Sequence, residues 1–581
     1  MSTREPRRAA CAGAAALALL TISCSGAAGP AEAAGVKPTM HAIGDCRAAA
    51  DRPVCLLKVL AAAPHHFPYR NRTEFAGASP ALLVEIEGEV TTAEAELKDG
   101  PRDALDQYEA IPLLRKQEAI RAALEADRAG RSPEEALTPI RELGQGLKSR
   151  SFLLGQIVTA GGAQLRASAY HAVWGAYRDP DVPPDKRPSL PLAKAALDAW
   201  AETARGEADS GNWYLPGLVE AYGSLGDEAA ARREAARLDE PPAAARLRLL
   251  AALSRLEEAT AAAEALKPGD FPQNDHGSAF DSTLRRLALT VLKAGRTDLA
   301  LRISRARLAA ALATGERAEY LASFGVERED APLALVQAEA GDREVREWAA
   351  KFEAVARSGR DARSLAAAQW ATEAWVRAGA PERGRALLDH YRPLAEPDMM
   401  ACNDQPVCYR RGLEQMALWV GDYDTAAKMY GNVPFDLVNF DVDQGRGLAN
   451  LDAHLARTDN PAWADQALNE CAERAARRRN WAVAKGCVER LVARIDRPLA
   501  PHEVRLREIT TDGGRPRVTA VTAAMAVADN AARFKELAVA REMTDVALTL
   551  ARGGEDAELP SPVRWGIERV AVAELRAAGR L

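Results

Sequence analysis

The sequence predicts an all-α fold: an α-solenoid of antiparallel helix pairs with no substantial sheet. Three observations carry that prediction. Hydrophobic residues make up 48% of the 581-residue chain while aromatics supply only 5%, because much of the apolar content is alanine, the best helix former. Alternating runs of valine, isoleucine and threonine, the mark of strands, are scarce. A short phrase also recurs: a glycine where one helix should stop, then a small residue five places later. It reads LGDEAAA at Leu225–Ala231, AGRTDLA at Ala294–Ala300 and VGDYDTA at Val420–Ala426, with a looser copy, AGAPERG, at Ala378–Gly384. Glycine takes the left-handed conformation that ends a helix without a Cβ clash. The small residue lets the second helix lie close against the first. Stacked pairs share one continuous core, so the usual ~150 residues per domain does not apply.

The chain opens on an export signal. Arg4, Arg7 and Arg8 form a basic start, and an apolar run follows from about Ala9 to Ile22, too short for a stable membrane span. Two readings of its processing stand side by side. Residues 1–33 form a cleaved signal peptide ending near Ala31-Glu32-Ala33, or at Ser25-Gly26-Ala27. Alternatively residues 1–23 are removed, Cys24 carries a lipid, and residues 25–37, rich in Ala, Gly and Pro, form a tether. The stretch Leu20-Thr21-Ile22-Ser23-Cys24 resembles a bacterial lipobox, with Thr21 in place of the usual leucine. By that resemblance Ser25 directs a lipoprotein to an outer membrane. Both readings export the chain: to the periplasm, or to the outer membrane facing the periplasm if Cys24 is lipidated. Nothing later offers eighteen uncharged apolar residues in a row.

The formal charge is −6. Residues 1–33 carry three arginines and two glutamates, so the rest of the chain is one unit more negative. An acidic balance argues against nucleic acid, which needs a basic face. It also provides no polybasic attachment to anionic lipid, which leaves Cys24 as the route to a membrane.

Beyond Cys11 and Cys24 there are six cysteines. An even number in an exported chain reads as disulfides. Each close pair straddles a turn: Cys46–Cys55 around Asp51-Arg52-Pro53, Cys402–Cys408 around Asn-Asp-Gln-Pro-Val, and Cys471–Cys487 eight residues either side of Arg479. Residues equidistant from a helix-pair turn lie side by side, as a disulfide requires. Buried unpaired thiols are the alternative. Zinc lacks any Cys-x2-Cys pair, and no cofactor is expected.

Helical periodicity runs over about Ile43–Ala63, Ala81–Leu97 and Asp103–Ala129. Ser132-Pro133-Glu134-Glu135 opens another helix, and Ser151–Tyr177 follows with a potential break at Gly161-Gly162. Residues 38–178 form an N-terminal helical region, and the proline-rich Asp179–Pro191 after it is a loop or a boundary. Pairs then run from 190 to 495: Trp213–Leu225 with Asp227–Leu238, Pro241 through about Leu266, Thr283–Ala294 with Asp298–Ala313, Pro332–Ala340 with Arg343–Arg357, Leu365–Ala378 with Glu382–Tyr391, Tyr409–Val420 with Tyr423–Tyr430, and Pro461–Ala476 with Trp481–Ile495. Residues 496–581 supply capping helices at about Val518–Phe534, Leu537–Ala551 and Pro562–Ala578.

These pairs resemble tetratricopeptide repeats in a degenerate form. That family turns on a glycine and packs an alanine five places later, as Gly226/Ala231, Gly295/Ala300 and Gly421/Ala426 do. Tyr222 and Trp375 fit an aromatic four places before the glycine, Tyr430 the downstream aromatic, and Pro241, Pro393 and Pro434 the proline near a repeat end. The turn glycines at 226, 295, 341, 379 and 421 are 69, 46, 38 and 42 residues apart, unlike the family's period of about 34. The resemblance implies a concave groove lined by first-helix side chains. By family register these include Arg285, Gln369, Glu373, Arg411 and Gln415, a polar set suited to a protein or peptide partner. Trp370, Trp375 and Trp419 read as core.

No catalytic signature stands out. Asn274-Asp275-His276-Gly277-Ser278 gathers Asp, His and Ser, but triads assemble from distant positions. Asp441-Val-Asp443-Gln-Gly445 with Asp452 has the outline of a calcium loop, yet lacks the glycine at the sixth place and the glutamate at the twelfth. His65-His66 has no metal-ligand spacing, and the arginines 477–479 suit a helix C-terminus. A lytic transglycosylase would add a Glu-Ser helix start and a Gly-Leu-Met-Gln-like stretch, which 440–581 lacks. The expectation is an interaction or scaffolding protein, not an enzyme. A cell-wall hydrolase with scattered carboxylates and a purely structural envelope lipoprotein are the alternatives.

Overall fold

The computed structural model describes residues 38–62, 75, 78–87, 105–143, 155–179, 182, 184–206, 215–267, 273–274, 277–314, 331–395, 409–430, 434–458, 460–498, 501–504, 516–553 and 557–581. The fold is all-α. Its helices are Met40–Asp45 (α1), Arg52–Ala61 (α2), Pro80–Glu87 (α3), Leu105–Arg128 (α4), Pro133–Ala136 (α5), Thr138–Arg141 (α6), Gly155–Arg178 (α7), Leu190–Gly206 (α8), Leu215–Ser224 (α9), Glu228–Ala235 (α10), Pro242–Ala252 (α11), Leu256–Glu264 (α12), Ala279–Lys293 (α13) and Thr297–Thr314 (α14). They continue as Pro332–Ala340 (α15), Asp342–Ala356 (α16), Ala362–Arg377 (α17), Pro381–Ala395 (α18), Tyr409–Val420 (α19), Tyr423–Tyr430 (α20), Pro434–Asp443 (α21), Leu451–Leu455 (α22), Pro461–Arg477 (α23), Trp481–Arg494 (α24), Pro516–Arg533 (α25), Leu537–Arg552 (α26) and Ser561–Ala577 (α27). The extended structure described is a two-residue antiparallel ladder, Gln273–Asn274 with Gly277–Ser278, and a Thr39–Glu558 bridge. Helix α7 runs unbroken through Gly161-Gly162, because two glycines inside a long helix weaken it without ending it.

The helix-pair turns share one backbone geometry. Gly226 has φ 73°; its amide donates to the Gly223 carbonyl at 2.9 Å, and the Asp227 amide donates to the Tyr222 carbonyl at 3.0 Å. This is the Schellman closure, which satisfies the last carbonyls of a helix. Gly295, Gly379 and Gly421 repeat it. So do three residues that are not glycine: Ser254 (φ 57°), Arg479 (φ 56°) and Lys535 (φ 62°). Five places after each of them stands a fully buried alanine, Ala259, Ala484 and Ala540, as Ala231, Ala300 and Ala426 follow the glycines. The phrase is therefore more frequent than a search for glycine finds. Gly341 departs from it, with ψ 175°, and separates α15 from α16 by one residue.

Arginines supply a second periodic device. The end of α17 is capped by Arg346 on the Ala378 carbonyl (3.3 Å), and the end of α19 by Arg385 on the Val420 carbonyl (3.1 Å) and Arg446 on the Trp419 carbonyl (2.9 Å). A cation there meets the negative end of the helix dipole and carbonyls that lack intrahelical donors.

Packing runs across the expected divisions. The Ser189 amide and hydroxyl bond to Asp127 at 2.7 and 2.6 Å, and α4, α7, α8 and α9 share one core containing Ala123, Trp174, Leu197 and Leu218. Segment 38–62 packs on the far end of the chain, where Ile43, Leu56 and Leu60 join a core with Leu548, Leu559 and Ile567. The Met40 amide donates to the Ala557 carbonyl (2.8 Å) and the Leu559 amide to the Pro38 carbonyl (3.1 Å). Arg52 pairs with Asp545 and Glu574, and Arg580 with Asp51. Apolar faces at both chain ends are buried against each other, because an open solenoid end leaves them in water.

Candidate functional site

Helix α25 is the innermost strut of the C-terminal end. Ala520, Ala523, Ala524, Ala528 and Ala531 are all fully buried, and these short side chains let α23, α24, α26 and α27 crowd around it. A Cβ at Gly566 would lie 3.2 Å from the Met525 carbonyl oxygen, so glycine there permits the close approach of α27. One face of α27 is core: Val563, Ile567, Val570, Ala571 and Leu575. Its other face carries Trp565, Arg569 and Arg576 at helical spacing, with the buried Val572 between the last two.

That second face forms the wall of an open groove of about 810 Å³. The opposite side is the α25–α26 turn, with Arg533, the left-handed Lys535 and Leu537. Trp565 is 67% exposed, the most exposed large hydrophobic side chain described. Beneath the groove lies Asp529, half-hidden between two guanidiniums: Arg569 Nη1 at 2.5 Å and Arg533 Nη2 at 2.9 Å. Burial pushes the Asp529 carboxyl above its ordinary range, and the two arginines pull against that. Four cations, Arg533, Lys535, Arg569 and Arg576, thus face two carboxylates, Asp529 and Glu568. The site is basic with an aromatic edge, on a chain whose formal charge is −6.

A second polar cluster is buried where α20, α21 and α22 meet. Asp441 accepts from Tyr423 Oη (2.8 Å), Asn450 Nδ2 (2.9 Å) and Arg446 Nη1 (3.2 Å), and pairs with His454 Nε2 (2.9 Å). Burial alone would raise the Asp441 carboxyl; the hydrogen bonds from His454, Asn450 and Tyr423 outweigh it and hold the group below its usual range. Burial and the bond to Asp441 push the Tyr423 hydroxyl up to about 12. Asp441 and His454 are 3% and 1% exposed, so the cluster knits three short helices and offers no approach to a substrate. The calcium outline does not assemble: Asp441 and Asp443 lie on α21, Asp443 pairs with Arg474 and Arg478 at 2.8 Å, and Asp452 pairs with Arg490.

Of the residues assigned to a groove by family register, three lie between α17 and α19. Glu373 is buried and accepts from Arg377 Nε at 2.9 Å, and that guanidinium lies 4.9 Å from the centre of the Trp419 ring. Gln369 is half-buried, and its amide nitrogen would lie 2.6 Å from a Cβ at Gly412 on α19. Gln415 is half-buried with its Oε1 enclosed. These three lie in the seam where α17 and α19 pack against each other. Arg285 is half-buried on α13, and Arg411 is on α19 with its side chain outside the described residues. Trp370, Trp375 and Trp419 are core. Cys46 and Cys55 are joined (Sγ–Sγ 2.03 Å), as are Cys471 and Cys487. Cys24, Cys402, Cys408 and His65-His66 lie outside the described residues. Sequence reasoning missed the Trp565 groove, although the spacing of 565, 569 and 576 was a readable signal of a second, partly exposed helix face.

No family model and no curated protein matches the chain. Among solved structures it is similar to a "circular tandem repeat protein with novel repeat topology and enhanced subunit contact surfaces", with 14% identity and a TM-score of 0.16, over 81% of this chain and 99% of that one. At that score the helical-repeat description rests on the helix packing itself.

Proposed function

We propose that this chain is an exported helical-repeat protein that binds another protein, with tetratricopeptide-like pairs as the frame and the Trp565 groove as the contact surface. The groove carries the reading. A tryptophan two-thirds exposed, set among arginines, is the composition of an interaction hot spot. Two disulfide-linked cysteine pairs support an oxidising compartment. The basic start and apolar run of residues 1–22 support export, and Cys24 is the candidate lipid anchor. The role is scaffolding and not catalysis. Its buried Asp441–His454 pair serves as an internal brace.

The test is a photo-crosslinking side chain placed at position 565 in cells, with position 190, an exposed leucine on the far part of the stack, as control. The expected result is one partner protein captured in stoichiometric amount at 565 and not at 190. Repeating it with Cys24→Ala reads the anchor, since a lipidated chain then leaves the membrane fraction. Equal capture at both positions, or turnover of muropeptides by the purified chain, sinks the reading.

A further inference from the structure

We infer that the Trp565 groove receives an acidic peptide segment carrying an apolar side chain. The inference rests on the interaction reading above and names the ligand class.

Charge selects the class. Four cations against two carboxylates form a positive site on an acidic chain. Such a local reversal draws anions to one place and repels them elsewhere. The cations are also held in position. Asp529 engages one nitrogen of Arg569 and one of Arg533, and a guanidinium has five N–H donors. Donors beyond those bonds suit the paired oxygens of a carboxylate.

Shape narrows the class. A groove of about 810 Å³ falls in the ~300–1,000 Å³ range of ligand sites and holds a few residues of chain. A lipid surface would need a projecting, flat face, whereas here the cations stand on two walls of a concavity. Between the charged groups the lining is apolar, with Val572, Ala573 and Leu537, which lets a backbone lie close. Trp565 then covers an apolar side chain, and desolvation of that pair strengthens the carboxylate–arginine bonds around it.

The probe is a fluorescein-labelled peptide of about twelve residues, aspartate and glutamate around a central leucine pair, titrated against the purified full chain by fluorescence anisotropy. Its partner probe has lysine at every acidic position. Vesicles of phosphatidylglycerol in phosphatidylcholine and light scattering of the chain alone are run alongside. The acidic peptide is expected to bind and the lysine peptide not. Trp565→Ala should weaken binding at least about tenfold. Arg576→Gln should weaken it severalfold and flatten its salt dependence. Trp565 is two-thirds exposed, so Trp565→Ala should melt like the parent. Equal binding by the parent and Trp565→Ala, or binding of the lysine peptide, overturns the inference. Vesicle binding that needs Trp565, without peptide binding, overturns it in favour of a lipid surface. Self-association that needs Trp565, without peptide binding, overturns it in favour of a second copy. Capture of a partner at 565 whose contact segment is not acidic removes the ligand class alone. No capture and no peptide binding remove the interaction reading as well.

Discussion

The guanidinium of Arg479 lies 4.2 Å from the centre of the Phe534 ring. Arg479 is itself in the left-handed region, at φ 56°. Two helix-pair turns, at 478–480 and 534–536, are thus joined by a cation on an aromatic face. The strained conformation of one residue is offset by a contact that only its side chain makes.

That contact separates two glycine substitutions. The left-handed region costs an ordinary residue about 1–2 kcal/mol. Ser254→Gly should therefore raise stability by about 1 kcal/mol. Arg479→Gly should gain less, because it loses a cation–π contact of about 0.5–1 kcal/mol. Gly226→Ala should lose about 1 kcal/mol from backbone strain alone, since nothing lies within 4 Å of where its Cβ would be. Urea unfolding read by circular dichroism checks the order, and an Arg479→Gly gain equal to that of Ser254→Gly would contradict it.

The Asp441 cluster predicts stability limits at both ends of the pH scale. Asp441 has a depressed carboxyl in the folded chain. Its contribution is present above the ordinary carboxylate range and is lost as pH falls through the depressed value. Tyr423 is raised to about 12 from an ordinary 10. Its contribution is present below pH ~10 and disappears between ~10 and ~12. Tyr423→Phe should remove the alkaline limb, and Asp441→Asn should flatten the acid limb. His454→Ala should cost about 3 kcal/mol by leaving a buried carboxylate short of its partner. Denaturation midpoints from pH 3 to 11 measure all three, and an unchanged alkaline limb in Tyr423→Phe would falsify the assignment.

The closure of the two chain ends is testable at Gly44. A Cβ there would lie 2.8 Å from the Arg552 backbone nitrogen. Gly44→Ala should destabilise by about 1–3 kcal/mol and speed hydrogen exchange in both 40–61 and 537–552. Acceleration in 40–61 alone would mean that the docking is one-sided. Removing the Cys46–Cys55 bridge should add about 2–4 kcal/mol of destabilisation, visible as a lower melting temperature under reducing conditions.

Two small-residue sites differ in what they face. A Cβ at Gly223 would be 2.6 Å from the Ala252 carbonyl carbon and oxygen, which are backbone. At Gly384 it would meet the Thr372 and Val420 methyls at 3.1 Å. Gly223→Ala should therefore cost about 2–3 kcal/mol and Gly384→Ala under about 1 kcal/mol, because side chains can shift and a backbone of a packed helix cannot. Thermal melts that rank them the other way would refute the packing argument.

Local composition was enough for much of the framework. The alanine content and the glycine turns are short-range features, so helix positions were readable within a few residues for α13–α20 and α23–α27. The turns at Arg479 and Lys535 were readable from the cysteine spacing and the helix break, but the left-handed backbone at Ser254, Arg479 and Lys535 was not, because it is held by helix-end hydrogen bonds and packing, not by residue type.

By itself the sequence determined that the fold is all-α, where most of the described helices start and stop, and that Cys46 lies near Cys55 and Cys471 near Cys487 across a turn. Each depends on residues within one or two helical turns. Tertiary structure alone decided that residues 38–62 close onto 537–581, that Gln369, Glu373 and Gln415 lie in a seam, and that Trp565, Arg569 and Arg533 share one groove. Those relations depend on how every intervening turn rotates one helix pair against the next. Small angular differences add along a solenoid, so no local pattern encodes where its two ends or its open faces come to lie.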